Sequence, residues 1–126
     1  MGEGHLEPFV IRLVGDWDLA RKEELGAILA QAYERPDVIL DLSETQYIDS
    51  TALAEFAKMR KHRVEKRGFE PSQIVVPPGN IAKLLGIVGF DKVFPTFASM
   101  REALQGHPDP GEPLAQADPG TKRAAQ

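Results

Sequence analysis

Cysteine is absent from the sequence, and several kinds of site are absent with it. The chain can form no disulfide, can perform no thiol catalysis, and can bind neither zinc nor an iron–sulfur cluster through thiolates. A chain without cysteine suits a reducing cytoplasm, which is the location we predict. The N-terminal MGEGHLEPFV lacks a basic region followed by an apolar core, so we expect no secretory signal there.

Long apolar runs and a strong excess of charge are also absent. No run approaches the roughly 18 to 20 residues of a membrane span, so we expect no direct membrane insertion. The formal net charge of −4 gives the chain no general attraction to nucleic acid or to an anionic membrane.

Signatures of metal and catalytic sites are missing as well. The histidines His5, His62 and His107 form no H-x-x-H motif, so we predict no metal and no cofactor. The sequence has no G-x-S-x-G, Walker A or G-x-G-x-x-G motif. Ser50 and His62 would lie about 18 Å apart along one predicted helix, too far for a catalytic pair. We therefore predict that the chain is not an enzyme.

The stretch KMRKHRVEKR, residues 58–67, is strongly basic. A solvated helix face explains it, because the helix dipole favours cations near the C-terminal end. No aromatic residue interleaves with the charges to stack on bases, so we predict no nucleic-acid partner. A protein partner for this face is the second interpretation.

Apolar patterns predict an alternating series of strands and helices. Such alternation is typical of an α/β domain with a mainly parallel mixed sheet of about four to five strands and helices packed against it. The near-continuous apolar run in VILDLS predicts a central strand, and Pro95 predicts an edge strand. The predicted strands are 9–15, 37–43, 72–77 and 92–97, and the predicted helices are 16–34, 50–67, 78–89 and 99–106, with a short connection at 44–49. The apolar face of the second helix would comprise Leu53, Phe56, Ala57 and Val64. Asn80 and Ser99 are the candidate caps of the third and fourth helices.

Composition divides the chain into three parts. Residues 1–8 form an N-terminal arm, and residues 9–105 form the single predicted domain. The segment 106–126 holds four of the ten prolines and shows no apolar period, so we predict a disordered C-terminal tail.

Three small polar residues, Asp49, Ser50 and Thr51, stand where a buried segment passes into a predicted helix. Asp49 or Ser50 would serve as the N-cap, a role worth about 1 kcal/mol. A phosphate on Ser50 would add about −1.5 to −2 charges to a surface that a partner could cover. A plain cap and a binding switch therefore both remain open. Trp17, in the loop between the first predicted strand and the apolar face of the first predicted helix, is equally consistent with packing and with a contact surface.

Three segments, in this order and spacing, resemble a known family. They are VGDWD (14–18), VILDLSETQYIDSTAL (38–53) and PPGNIAKLLGIVGFDKVFPTFASMREAL (77–104). Together they resemble the STAS domain, the fold of bacterial anti-sigma factor antagonists, over roughly residues 9–105. The resemblance implies a single STAS-like domain.

The resemblance also implies a mechanism based on a change of binding partner. In such proteins the unphosphorylated antagonist binds an anti-sigma factor that is a serine kinase with a histidine-kinase-like ATPase fold. Binding frees the sigma factor, phosphorylation of the serine after the aspartate releases the antagonist, and a PP2C-type phosphatase resets it. The phosphoacceptor is then Ser50. The implied partner-binding surface comprises Asp18, Trp17, Asp49, Ser50, Thr51 and Leu53.

Two departures from the family pattern and one alternative accompany this interpretation. Ala52 and Ala54 stand where the family signature has glycine, and an added methyl group could obstruct a closely packed partner. The alternative is a STAS subunit that does not switch, within a lipid or anion transport complex, bound to an ABC-type ATPase. Because no membrane segment is evident, we favour a separate regulator. An unrecognised enzyme is the third possibility.

Overall fold

The structure is a computed structural model that describes residues 7–106 of the chain. The predicted arm lies outside the described residues except for Glu7 and Pro8, and the predicted tail lies outside them beyond Gly106. The elements in chain order are β1 (Phe9–Arg12), β2 (Gly15–Trp17), a 3-10 turn (Leu19–Arg21), α1 (Lys22–Ala30), β3 (Val38–Asp41), β4 (Thr45–Ile48), α2 (Ser50–Lys61), a π-helical segment (His62–Lys66), β5 (Gln73–Val75), α3 (Asn80–Ile87), a second 3-10 turn (Phe90–Lys92), β6 (Thr96–Phe97) and α4 (Met100–Gln105).

The strands form a four-stranded sheet in the order β1-β3-β5-β6 and a two-stranded sheet of β2 and β4. Every strand pairing within the described residues is parallel. All four residues of β3 are buried, and β6 lies at an edge, as the apolar run and Pro95 predict. The predicted α/β class is therefore confirmed.

Helices cover both faces of the larger sheet. The main core contains Leu40 of β3 and Ile74 of β5 together with Phe56 and Met59 of α2. The other face is covered by α4, where Ala103 packs with Ile39 and Val75. Val38 and Leu40 face the main core and Ile39 faces the other one, which explains why the first three residues of β3 are all apolar.

The first predicted strand is wrong in one respect, because residues 9–15 belong to two strands. Gly15 has a φ of 89°, a conformation that glycine adopts readily, and the pairing of β2 with β4 shifts register there. The chain therefore stops pairing with β3 after Arg12 and pairs with β4 from Gly15 onward. The segment 45–48, predicted as a connection, is the strand β4.

The helix predictions are correct in number but differ in detail. The helix predicted at 16–34 is α-helical only from Lys22 to Ala30. The predicted strand 92–97 shrinks to Thr96–Phe97, because a 3-10 turn occupies residues 90–92. Asn80 is not the cap of α3, since Gly79 holds that position without a side-chain hydrogen bond.

The buried face of α2 also differs from the predicted one. The structure buries Ala52, Phe56 and Met59, whereas Ala57, predicted to be on the apolar face, is exposed. Arg63, predicted to belong to a solvated basic face, is completely buried. That prediction is wrong because the π-helical segment turns this side chain inward, towards the carbonyl groups that follow α1.

The buried guanidinium of Arg63 binds four backbone carbonyl oxygens. Its nitrogen atoms donate to Ala32 at 3.1 Å, to Arg35 at 2.9 Å, to Pro36 at 3.1 Å and to Glu70 at 2.7 Å. Burial lowers the pKa of Arg63 from its ordinary value, and the negative charge of Asp37 acts in the opposite direction. One side chain thus joins the end of α1, the segment before β3 and the segment before β5.

Replacement of Arg63 should destabilise the whole domain. Arg63→Met keeps an apolar stem but leaves buried carbonyls without donors, so the free energy of unfolding should fall by about 3 kcal/mol or more. Lys61→Met, at an exposed site on the same helix, should change it by less than about 0.5 kcal/mol. Urea denaturation measures both values, and equal effects of the two variants would contradict this role of Arg63.

Candidate functional site

The pairing of β2 with β4 brings the two sequence segments that carry the aspartates together. Trp17 lies opposite Ile48. The next residues, Asp18 and Asp49, directly follow the carboxyl ends of the two parallel strands, so they lie at the same end of this sheet. Neighbouring strands lie about 4.8 Å apart, so the two aspartates start from adjacent positions.

Both aspartates cap the helical turn that follows them. Asp49 Oδ1 accepts hydrogen bonds from the amides of Thr51 at 2.9 Å and Ala52 at 3.2 Å. Asp18 Oδ1 accepts from the amide of Ala20 at 3.1 Å. Their backbone angles are nearly the same, with φ/ψ of −123°/−171° for Asp49 and −125°/−170° for Asp18. The site therefore contains two carboxylates held in equivalent orientations.

Because Asp49 is the cap of α2, Ser50 is the first residue of that helix. Its side chain is exposed, and within residues 7–106 its hydroxyl has no hydrogen-bond partner. The cap that the sequence assigned to either Asp49 or Ser50 thus belongs to Asp49. Ser50 is left with a hydroxyl group that an approaching protein can reach.

The remaining predicted residues of α2 point in different directions. Thr51 is half-buried, and Leu53 is a partly buried side chain packed against the main core. Ala52 is 1% exposed, so its methyl group lies in the core and cannot obstruct a partner. Ala54 is exposed, and any steric effect of replacing the family glycines is limited to this position.

Trp17 does not present its ring to a partner. The residue belongs to β2 and is 3% exposed, and its indole nitrogen donates to the Val14 carbonyl at 3.2 Å. The Arg21 guanidinium lies 3.5 Å from the ring centroid and donates to the Asp16 carbonyl at 2.9 Å and to Glu24. The expectation that Trp17 is a contact residue is wrong, because its side chain is buried in the main core.

Two exposed apolar residues lie beside the aspartates and were not predicted from the sequence to belong to this surface. Leu19 follows Asp18 directly and is 68% exposed, and Tyr47 is 50% exposed two positions before Asp49. Tyr47 lies opposite Asp16 in the β2–β4 pair. The available signal was the place of Tyr47 beside Ile48: successive side chains of a strand point to opposite faces, so a buried Ile48 leaves Tyr47 facing outward. We call Asp18, Leu19, Tyr47, Asp49 and Ser50 the strand-end surface.

The strand-end surface combines carboxylates with exposed apolar side chains, a composition that suits a protein contact. Its charged side chains are carboxylates, and Arg21 nearby is already engaged by Glu24, through two hydrogen bonds of 3.0 Å. Within residues 7–106 no group of histidine or acidic side chains could hold a metal ion. None of the helices in this part of the chain has the length and apolar character that a membrane crossing requires.

Comparison with known protein families gives a clear result. The model of the STAS domain family matches residues 3–103 of the chain. That range contains both capping aspartates, Ser50 and every helix and strand described above except the last two residues of α4. Among curated proteins, none matches the chain.

Solved structures with the same fold come from several proteins. An anti-sigma factor antagonist from Mycobacterium paratuberculosis is 26% identical, with a TM-score of 0.60 over 76% of this chain and 81% of that one. The unphosphorylated anti-sigma factor antagonist SpoIIAA is 17% identical, with a TM-score of 0.58 over 76% of this chain and 84% of that one. A sulfate transporter family protein from Wolinella succinogenes is 19% identical, with a TM-score of 0.63 over 77% of this chain and 81% of that one.

STAS domains are in general binding domains rather than enzymes. The match to the family covers most of the chain, and the structural matches share its sheet and helices. The chain belongs to the STAS domain family, and its fold is that of the anti-sigma factor antagonists.

Proposed function

We propose that this protein is an anti-sigma factor antagonist whose binding is controlled by phosphorylation of Ser50. The observation that carries the proposal is the exposed hydroxyl of Ser50 at the first position of α2, directly after the capping carboxylate of Asp49; this hydroxyl has no hydrogen-bond partner among residues 7–106. In the unphosphorylated state the strand-end surface binds an anti-sigma factor serine kinase with a histidine-kinase-like ATPase fold. That binding frees the sigma factor.

The cap geometry explains why a phosphate at this position would act on a partner. Asp49 already occupies the amides of Thr51 and Ala52, so a phosphate on Ser50 would not be absorbed by these donors. It would add about −1.5 to −2 charges beside an existing carboxylate. A partner packed over this patch would meet uncompensated charge, which is costly to desolvate. Phosphorylation would therefore release the kinase, and a PP2C-type phosphatase would restore binding.

The comparisons support this proposal. The mycobacterial structure that is 26% identical is an anti-sigma factor antagonist. SpoIIAA of Bacillus, with a TM-score of 0.53 in its phosphorylated form, shares the fold at 17% identity. The proposed location is the bacterial cytoplasm, where the kinase, the phosphatase and the sigma factor would be found.

A second candidate function follows from the similarity to the sulfate transporter family protein. In that case the chain would be a STAS subunit that does not switch, bound to a transport complex or to an ABC-type ATPase. Ser50 would then be a contact residue only. Affinity capture from the source cells with mass spectrometry separates the two, because a small ATPase-fold kinase supports the first function and a transport ATPase supports the second.

Variants of Ser50 should separate stability from binding. Ser50→Ala should change the free energy of unfolding by less than about 0.5 kcal/mol, since Ser50 is not the cap. Ser50→Asp should also fold normally, because an acid in the first turn of a helix is favourable. Its affinity for the purified kinase should nevertheless fall about a hundredfold, because the charge is buried at the interface. Calorimetry at one salt concentration measures the affinities.

Gln105→Glu is the matched control for charge, since it adds one negative charge at an exposed site on α4. It should bind the kinase like the unmodified chain. Protein phosphorylated on Ser50 is the most direct reagent. If it binds the kinase as tightly as Ser50→Ala does, the proposed switch is wrong.

The apolar residues of the strand-end surface should contribute to affinity rather than to stability. Leu19→Ala and Tyr47→Ala should each weaken kinase binding by about tenfold or more, because exposed apolar side chains at the centre of an interface become buried. Leu104→Ala, which removes a similarly exposed side chain from α4 on the other face of the sheet, should bind normally. Equal affinities for all three variants would show that the partner covers a different surface.

A further inference from the structure

A groove lies along the open edge of the larger sheet, between β1 and α4. β1 is the outermost strand on this side, and Val10 and Leu104 are 40% and 49% exposed. The groove has a volume of about 570 Å³. It is lined by Glu7, Pro8, Val10, Arg12, Met100 and Leu104, and we call it the edge groove.

The backbone of β1 has one bonded side and one open side. The amides of Phe9 and Leu13 donate to the carbonyls of Asp37 at 2.8 Å and Asp41 at 3.1 Å. Bonding groups alternate along a strand, so the amides and carbonyls of Val10 and Arg12 point away from β3. Within residues 7–106 no strand pairs with this side of β1. The edge is therefore available to another strand.

The charges of the edge groove are arranged so that two copies would complement one another. Glu7 lies at one end and Arg12 at the other. Arg12 is held in place by Asp41, to which its Nε donates at 3.1 Å, and its side chain is still 56% exposed. Its two terminal nitrogens remain for a second carboxylate. Under a two-fold axis, Arg12 of each copy would face Glu7 of the other.

We propose that a second copy of this chain docks on the edge groove, with the two β1 strands paired antiparallel about Val10. In this register Val10 exchanges hydrogen bonds with Val10 of the second copy. The Arg12 amide donates to the Pro8 carbonyl of that copy, and the pairing ends there because proline has no amide hydrogen. Val10, Met100 and Leu104 of the two copies then cover one another, and the sheet becomes continuous across the dimer.

The dimer should be weak, because the paired strands are short. An interface below about 1,200 Å² belongs to the weak or transient class. Sedimentation velocity on the full chain, from about 5 µM to about 500 µM, should show a monomer at the low end and an increasing dimer fraction at the high end. Leu104→Glu and Glu7→Lys should each weaken association at least tenfold. Ile87→Glu, which charges a side chain 75% exposed on α3, should leave association unchanged.

Hydrogen exchange locates the contact at single residues. The Val10 and Arg12 amides should exchange rapidly at low protein concentration and become protected as the dimer forms. The Ile11 amide, which faces β3, should be protected at both concentrations and serves as an internal reference.

Several results would overturn the proposal. One is a monomer at every concentration, and another is a dimer that Ile87→Glu weakens as much as Leu104→Glu does. Protection of Val10 and Arg12 that does not depend on concentration would mean that residues 1–6 or 107–126 of the same chain occupy the edge groove. Protection that arises only when a peptide of another protein is added would likewise rule out the second copy.

Discussion

The burial of Arg63 is the interaction on which much of this structure depends. Its guanidinium is held by four carbonyl oxygens, from the end of α1 and from the segments before β3 and β5. A charged group leaves water only when its donors are satisfied in this way. Arg63 lies near the C-terminal end of the continuous helical segment that begins at Ser50, and its hydrogen bonds attach this end to the segments that lead into β3 and β5. The position of Ser50 is determined from both ends, by this anchor and by the Asp49 cap.

The strand-end surface follows from a second constraint, the parallel pairing of β2 with β4. The carboxyl ends of parallel strands lie at the same end of a sheet, so two aspartates from separate segments reach one surface. Their backbone conformations are nearly the same. Each carboxylate is committed to the amides of its own helical turn. Among residues 7–106 the exposed hydroxyl of Ser50 beside them has no hydrogen-bond partner, and it is the group that we propose a kinase modifies. Leu19 and Tyr47 add the exposed apolar area that a protein contact needs.

The edge groove and the strand-end surface use different parts of the same strand series. β1 presents its open side between Glu7 and Arg12, and the chain then crosses through Gly15 to β2 and Asp18. Because the two surfaces share no residue, self-association and binding of a kinase need not exclude each other. The proposed pairing edge and the proposed switch therefore occupy separate parts of the domain.

The sequence by itself determined the elements with strong local patterns. The apolar run of β3 predicted a strand buried on both faces, Pro95 predicted the edge, and the polar cluster at Asp49 and Ser50 predicted a helix start. Ser99 was likewise predicted as the cap of α4, and its Oγ accepts the Glu102 amide at 3.1 Å. Such features depend on residues that are neighbours in the sequence, so they can be predicted without knowledge of the tertiary structure.

Only the tertiary structure decided which faces of the short segments are buried. Trp17 is inside and Tyr47 outside because β2 pairs with β4, and that pairing joins residues far apart in sequence. Arg63 is buried because a change of helical pitch directs it at carbonyls beyond α1. The methyl group of Ala52 does not obstruct a partner, because it faces the core. Segments of three or four residues carry too little periodicity to specify a face, so long-range pairing and packing make that choice.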